Sequence, residues 1–162
     1  MNIKGEIKSV SVDHIPPGKQ KVVSNPRKCV NCDLCMLMCS FTKEKIFTPY
    51  LSRIRIEARE HDWLKKEGNI IYKPKVCVQC ADSPCIKVCP TNAIIIDEKT
   101  EARIIKDELC NMCLKCVEAC PLDAIFIDKK GDRVLKCDVC NGEPQCVEWC
   151  PTNALLFITD KG

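Results

Sequence analysis

Sixteen of the 162 residues are Cys, while the aromatic side chains amount to two Trp, two Tyr and four Phe. A chain so poor in large apolar rings cannot hold itself together by burial alone, so inorganic or covalent support is expected. The formal net charge is +3, with basic residues scattered rather than massed in blocks, so a nucleic-acid partner is not expected. No apolar run is long enough to span a bilayer, and the N-terminus lacks the continuous apolar stretch of a secretory signal. The expected compartment is the cytoplasm, where thiols stay reduced and a framework of disulfides is disfavoured.

Residues 1–24 read as an N-terminal extension, either a docking arm or a frayed terminus. Cys29, Cys32, Cys35 and Cys39 follow, spaced C-x2-C-x2-C-x3-C. Cys39 leads into Ser40-Phe41, and residues 52–59 then alternate apolar and charged side chains, the pattern of a strand with one charged face. Residues 60–72 read as a polar connection inserted before the second group, Cys77, Cys80, Cys85 and Cys89, spaced C-x2-C-x4-C-x3-C. Residues 94–96 and 103–105 are expected to pair as a hairpin. The third group, Cys110, Cys113, Cys116 and Cys120, repeats the first spacing, and a second hairpin is expected from 124–127 with 133–135. Cys137, Cys140, Cys146 and Cys150 form the last group, C-x2-C-x5-C-x3-C. A repeat ends three of the groups: Cys89-Pro90-Thr91-Asn92-Ala93-Ile94, Cys120-Pro121-Leu122-Asp123-Ala124-Ile125 and Cys150-Pro151-Thr152-Asn153-Ala154-Leu155. Its Pro turns the chain out of a helical turn, and the apolar residues beyond read as a short strand.

No Cys is left over. The first and third spacings are the run with which bacterial ferredoxins hold [4Fe-4S] clusters. A cubane needs four soft thiolates, and a tight loop supplies three while its N–H groups turn toward sulfur. The fourth Cys, placed at the start of a helical turn facing away, reaches the neighbouring cluster, so clusters come in crossed pairs. Four-thiolate zinc sites are the alternative, but zinc ribbons use two separated pairs rather than triplet-plus-one runs. His14 and His61 are not needed as ligands. Met36, Met38, Met112 and Trp149 are expected to pack over the inorganic cores, and Lys28, Lys75, Lys87, Lys115 and Lys136 to be mostly solvated surface near the cysteines.

Residues 25–158 resemble the four-cluster ferredoxin-like electron-transfer subunits of molybdenum and tungsten enzymes, some hydrogenases and carbon monoxide dehydrogenases. Cys39-Ser40-Phe41 with Ser52-Arg53-Ile54-Arg55-Ile56, and Lys136-Cys137-Asp138-Val139-Cys140 with Cys150-Pro151-Thr152, are similar to the small subunits of tungsten aldehyde oxidoreductases and class II benzoyl-CoA reductases. The resemblance implies an α+β fold of two bacterial-ferredoxin-like units, short hairpins and helices around cluster pairs, one unit inserted in the other. The outer unit takes residues 25–72 plus 130–162 and the inner unit 73–129. Sequence alone also permits the first group to pair with the second. By resemblance, one outer cluster takes Cys29, Cys32, Cys35 and Cys150, and its mate Cys137, Cys140, Cys146 and Cys39. The inner pair takes Cys77, Cys80, Cys85 and Cys120, and Cys110, Cys113, Cys116 and Cys89.

No surplus nucleophile, His-centred acid–base pair or phosphate-binding Gly loop is present, so the chain is expected to be a non-catalytic electron carrier. Four oxidised clusters at about −2 each would turn the +3 chain into an anion of about −5. The expected partners are a large catalytic subunit with tungsten or molybdenum and, at the other end, a ferredoxin or flavin subunit. A free polyferredoxin shuttle is the alternative, and a zinc-held interaction module a distant one. The chain stops at Ile158-Thr159-Asp160-Lys161-Gly162, and no membrane anchor is expected.

Overall fold

The short elements foreseen around each Cys-Pro step are the ones that form. The computed structural model describes residues 20–60 and 70–159, which contain four two-stranded antiparallel ribbons. Strands β4 (Ile94–Ile96) and β5 (Arg103–Ile105) make the first predicted hairpin. Strands β6 (Ile125–Ile127) and β7 (Val134–Lys136) make the second, each within a residue of its expected bounds. In the β6–β7 turn, Asp128 Oδ1 accepts from the N–H groups of Gly131, Asp132 and Arg133, and Gly131 takes φ +79° with open space around it.

Strand β2 (Ile54–Glu60) confirms the alternating segment, but it pairs with β3 (Ile70–Val76), which the sequence assigned in part to a polar connection. The apolar triplet Ile70-Ile71-Tyr72 therefore belongs to a ribbon and not to the insertion. Strand β1 (Lys21–Ser24) pairs with β8 (Leu155–Ile158), so the end of the expected N-terminal extension is tied down. Val22 is fully buried there, and Ser24 Oγ donates to the Pro74 carbonyl at 3.0 Å. The rest of that extension, His14, His61 and most of the connection lie outside the described residues.

Helix α1 (Leu34–Glu44) runs through Cys35 and Cys39, because Ser40 follows where the other groups have Pro. The corresponding helices α2 (Pro84–Lys87), α3 (Lys115–Glu118) and α4 (Gln145–Glu148) are single turns. Cys89, Cys120 and Cys150 thus follow a helical turn, where the sequence placed them at its start; the Pro after each prevents the helix from continuing. Helix α1 packs on α4, and α2 on α3. Five of the twelve residues in the central buried cluster are cysteines, beside Val22, Ile54, Val76, Ala102, Ala124, Val139 and Leu155. The thiols occupy space that aliphatic side chains fill in an ordinary domain.

Candidate metal centres

All sixteen cysteines are free, and the fold gathers them in fours drawn from different groups. Cys77, Cys80, Cys85 and Cys120 face one empty space of about 350 Å³. Cys39, Cys137, Cys140 and Cys146 line another of about 320 Å³. Cys89, Cys110, Cys113 and Cys116 line a third of about 320 Å³. The remaining four meet at Cys35, whose thiol is pushed up to about 12 by burial and by the charges of Cys29, Cys32 and Cys150. In each set three cysteines come from one loop and the fourth from the loop packed against it.

Neighbours across sets arrange the four in a row. Burial, then Cys110 within its own set and Cys85 in the next, pushes the Cys116 thiol up to about 11. Burial and then Cys77 raise Cys137, linking the second set to the third in line. Burial and the thiolates of its own set raise Cys146, with a further push from Cys35 in the last set. The two exposed cysteines, Cys113 and Cys32, belong to the two sets at the ends of this row.

The backbone aims N–H groups at sulfur. Ala93, Ala124 and Ala154 donate to Cys89, Cys120 and Cys150 at 3.3, 3.4 and 3.2 Å. The Cys-Pro repeat explains why: Asn92, Asp123 and Asn153 take left-handed φ of 52°, 48° and 51°, which Asn and Asp tolerate better than other side chains, and so fold the chain back over the thiol. Against the upward push of burial, Thr91 and the Ala93 N–H hold Cys89 below its ordinary value; the Leu155 and Ala154 N–H groups and Thr152 do the same for Cys150. Cys39 has no such repeat and instead accepts from the Arg53 N–H at 3.3 Å.

Within the loops, Asn31 and Asp33, Gln79 and Ser83, and Met112 and Leu114 have positive φ, as do Val139, Cys140 and Asn141. Such windings turn successive N–H groups inward and make an anion-binding concavity of the type used at iron–sulfur sites. Each costs a non-glycine residue about 1 kcal/mol or more, most for β-branched Val139. Four thiols lining one space, under inward N–H groups, meet the demand of a [4Fe-4S] cube for four thiolates. Among the described residues no three His, Cys, Asp or Glu side chains converge tightly enough to hold a single ion, as the sulfurs of a zinc site must at about 3.8 Å from one another.

The site also contains charges that spacing did not reveal. Lys136, placed by sequence on the solvated surface, is buried, whereas Lys28, Lys87 and Lys115 are exposed as expected. Lys75 is half-buried and bridges Glu57 and Asp123, both at 3.3 Å. Arg103, 1% exposed, donates through Nε to Ser83 Oγ at 2.7 Å and through its backbone N–H to Gln79 Oε1 at 2.8 Å. The fully buried Gln79 donates onward to the Cys137 carbonyl at 3.0 Å. The one available signal was a charged residue in each otherwise apolar strand, Arg103-Ile104-Ile105 and Val134-Leu135-Lys136. Met36 packs on the buried cluster as expected, whereas Trp149 is 49% exposed.

These features define a ferredoxin-like iron–sulfur protein. Residues 68–160 match the 4Fe-4S dicluster domain model, and the chain belongs to that family. It is 42% identical over 95 residues, 59% of this chain and 50% of the relative, to the polyferredoxin-like subunit of aliphatic sulfonate oxidoreductase from Pyrococcus furiosus. Formate hydrogenlyase subunit 2 from Escherichia coli is 30% identical over 59% of this chain and 41% of its own length. Hydrogenase-4 component A from the same organism is 28% identical, again over 59% of this chain and 41% of its own. The chain thus spans about half the length of these relatives or less. Among solved structures it is similar to the active site complex BamBC of benzoyl coenzyme A reductase, with 27% identity, a TM-score of 0.45, and coverage of 86% of this chain and 79% of that one. Among the described residues no helix is long and apolar enough to cross a membrane.

Proposed function

We propose that the chain is a four-cluster electron relay, nested as an inner ferredoxin-like unit within an outer one, that passes single electrons between two partners. The observation that carries this reading is that the four cysteine sets neighbour one another in turn, with an exposed cysteine in the first and in the last. Cys89, Cys110, Cys113 and Cys116 hold one terminal cluster, and Cys29, Cys32, Cys35 and Cys150 the other. Cys77, Cys80, Cys85 and Cys120, then Cys39, Cys137, Cys140 and Cys146, hold the two between. Each bound [4Fe-4S] cluster supplies a site that accepts and returns one electron.

The protein's own part is positional. Because each loop gives ligands to two sets, the separation of the two sets within each pair is fixed by the α1–α4 and α2–α3 packing. Buried Cys39, Cys77, Cys137 and Cys146 exclude water from the two middle sets, and the Ala N–H groups stabilise the anionic sulfurs. Exposed Val30 flanks Cys29 and exposed Leu109 flanks Cys110, offering apolar footing for a partner at either end. The partners we infer are a large catalytic subunit carrying tungsten or molybdenum and a ferredoxin or flavin subunit, in the reducing cytoplasm.

Anaerobic purification from the native source, with elemental mass spectrometry, tests the reading. About 16 iron per chain, co-eluting with tungsten or molybdenum on a large subunit, is the expected result. Iron without a partner replaces the fixed relay by a shuttle, and zinc in place of iron overturns both.

A further inference from the structure

Lys136 is a buried ammonium set against a cluster ligand. It is 7% exposed, and its Nζ meets Cys77 Sγ at 3.3 Å, Gln79 Oε1 at 3.4 Å, the Cys137 carbonyl at 3.3 Å and, in a short contact, the Arg103 carbonyl. All four groups accept hydrogen bonds. A neutral amine would turn its lone pair toward one of them, whereas the ammonium has no lone pair and directs three N–H groups at the four acceptors, one of them shared. None of these partners is a carboxylate, and the one anion among them is the thiolate of Cys77, itself a member of the ligand set.

The other cavities differ. Lys43 and Arg53 reach the space lined by Cys39, Cys137, Cys140 and Cys146, but Lys43 is paired with Asp138 and Arg53 with Glu44. No charged side chain besides the cysteines lines the space between Cys89, Cys110, Cys113 and Cys116.

We propose that Lys136 is a potential-setting residue: it raises the reduction potential of the cluster held by Cys77, Cys80, Cys85 and Cys120 above that of the cluster at Cys89, Cys110, Cys113 and Cys116. The inference rests on the ligand sets assigned above. Reduction adds one negative charge to a cluster, and a buried cation touching a ligand sulfur favours that state both by Coulomb attraction and by its N–H···S bond. An electron entering beside Cys113 therefore moves inward and comes to rest beside Lys136. Lys136 acts through Cys77, as a positioning residue, and not as a direct contact of the electron donor.

The test is a redox titration of the iron-loaded full chain, followed by electron paramagnetic resonance, for the native protein and Lys136→Met. In the variant, one midpoint falls by at least the equivalent of a tenfold change in the reduced-to-oxidised ratio, about 59 mV for one electron, while the other signals stay in place. Unmoved midpoints at full iron content overturn the proposal and leave the ligand sets intact; iron well short of four cubanes in the native chain overturns the ligand sets themselves. Should Lys136→Met fail to load iron, Lys136→Gln, which keeps an N–H donor but loses the charge, is titrated in its place, and midpoints unmoved at full iron content refute the role of Lys136.

Discussion

The second and third cysteine groups share a frame and differ in what surrounds it. Both end in a Cys-Pro repeat whose left-handed Asn or Asp turns an Ala N–H onto the thiol, and their helices α2 and α3 pack together. The third group keeps the tight C-x2-C-x2-C loop and leaves Cys113 exposed. The second lengthens that loop by two residues, and the lengthened stretch contains Ala81 and Ser83. Ser83 Oγ and the Ala81 carbonyl accept from the Arg103 guanidinium, whose own carbonyl accepts from Lys136. A stretch that appears in the sequence only as a longer spacing is thus where a buried basic network is anchored. The same ligand chemistry then sits in an open, uncharged setting at one centre and a closed, cationic one at its neighbour.

Stripping the iron with a chelator should separate the two settings most sharply. The centres with exposed Cys32 and Cys113 are expected to lose iron first, about half of the total by the assignment of four cubanes. The slower half should leave together with the secondary structure, because thiols form so much of the buried cluster. Iron release in one phase, tracked beside circular dichroism, would erase the distinction between end and middle.

Arg103→Ala attacks the closed centre alone. It removes a buried guanidinium and strands its acceptors at Ser83, Ala81 and Glu101, at an expected cost of about 3–5 kcal/mol. The measurable outcome is a lower anaerobic unfolding temperature, with loss of one cluster signal while that of the exposed Cys113 centre survives. Ser83→Ala should do the same more gently, by about 2 kcal/mol, since one hydrogen bond to a charged group is lost. Equal damage to both signals in either variant would mean that the network serves the whole fold rather than one centre.

The parts legible in the sequence are those set by local chemistry. Spacing divided the cysteines into four groups of four, and the Pro of the repeat with the apolar residues beyond it foretold both hairpins to within a residue. The grouping of Cys120 with Cys77 or Cys150 with Cys29 depends on which loops pack together, and spacing left that choice open. Lys136 misled for a similar reason: a lone Lys beside a Cys ordinarily points to solvent, and only the arrival of Gln79 and the Arg103 carbonyl from distant segments makes its burial tolerable. The β1–β8 pairing was hidden because Lys21-Val22-Val23-Ser24 is too short to declare a strand without Leu155 to Ile158 beside it.

The feature common to both centres permits the finest test. Asn92 and Asp123 hold equivalent left-handed positions, φ 52° and 48°, each presenting the next N–H to sulfur at 3.3 and 3.4 Å. Ala at either site must enter a conformation that costs an ordinary residue about 1 kcal/mol, whereas Gly enters it freely. Asn92→Ala and Asp123→Ala should therefore each lower stability by about 1 kcal/mol, with Asn92→Gly and Asp123→Gly close to the native protein. The Asp123 variants also lose the 3.3 Å contact with Lys75, but Asp123 is exposed there and such a pair contributes little. If the two Ala variants match, the frame is the same machine twice and the difference between the centres lies in the loop insertion and its cations. If Asp123→Ala proves much the worse, the turn itself carries part of that difference, and the network around Lys136 is not its sole origin.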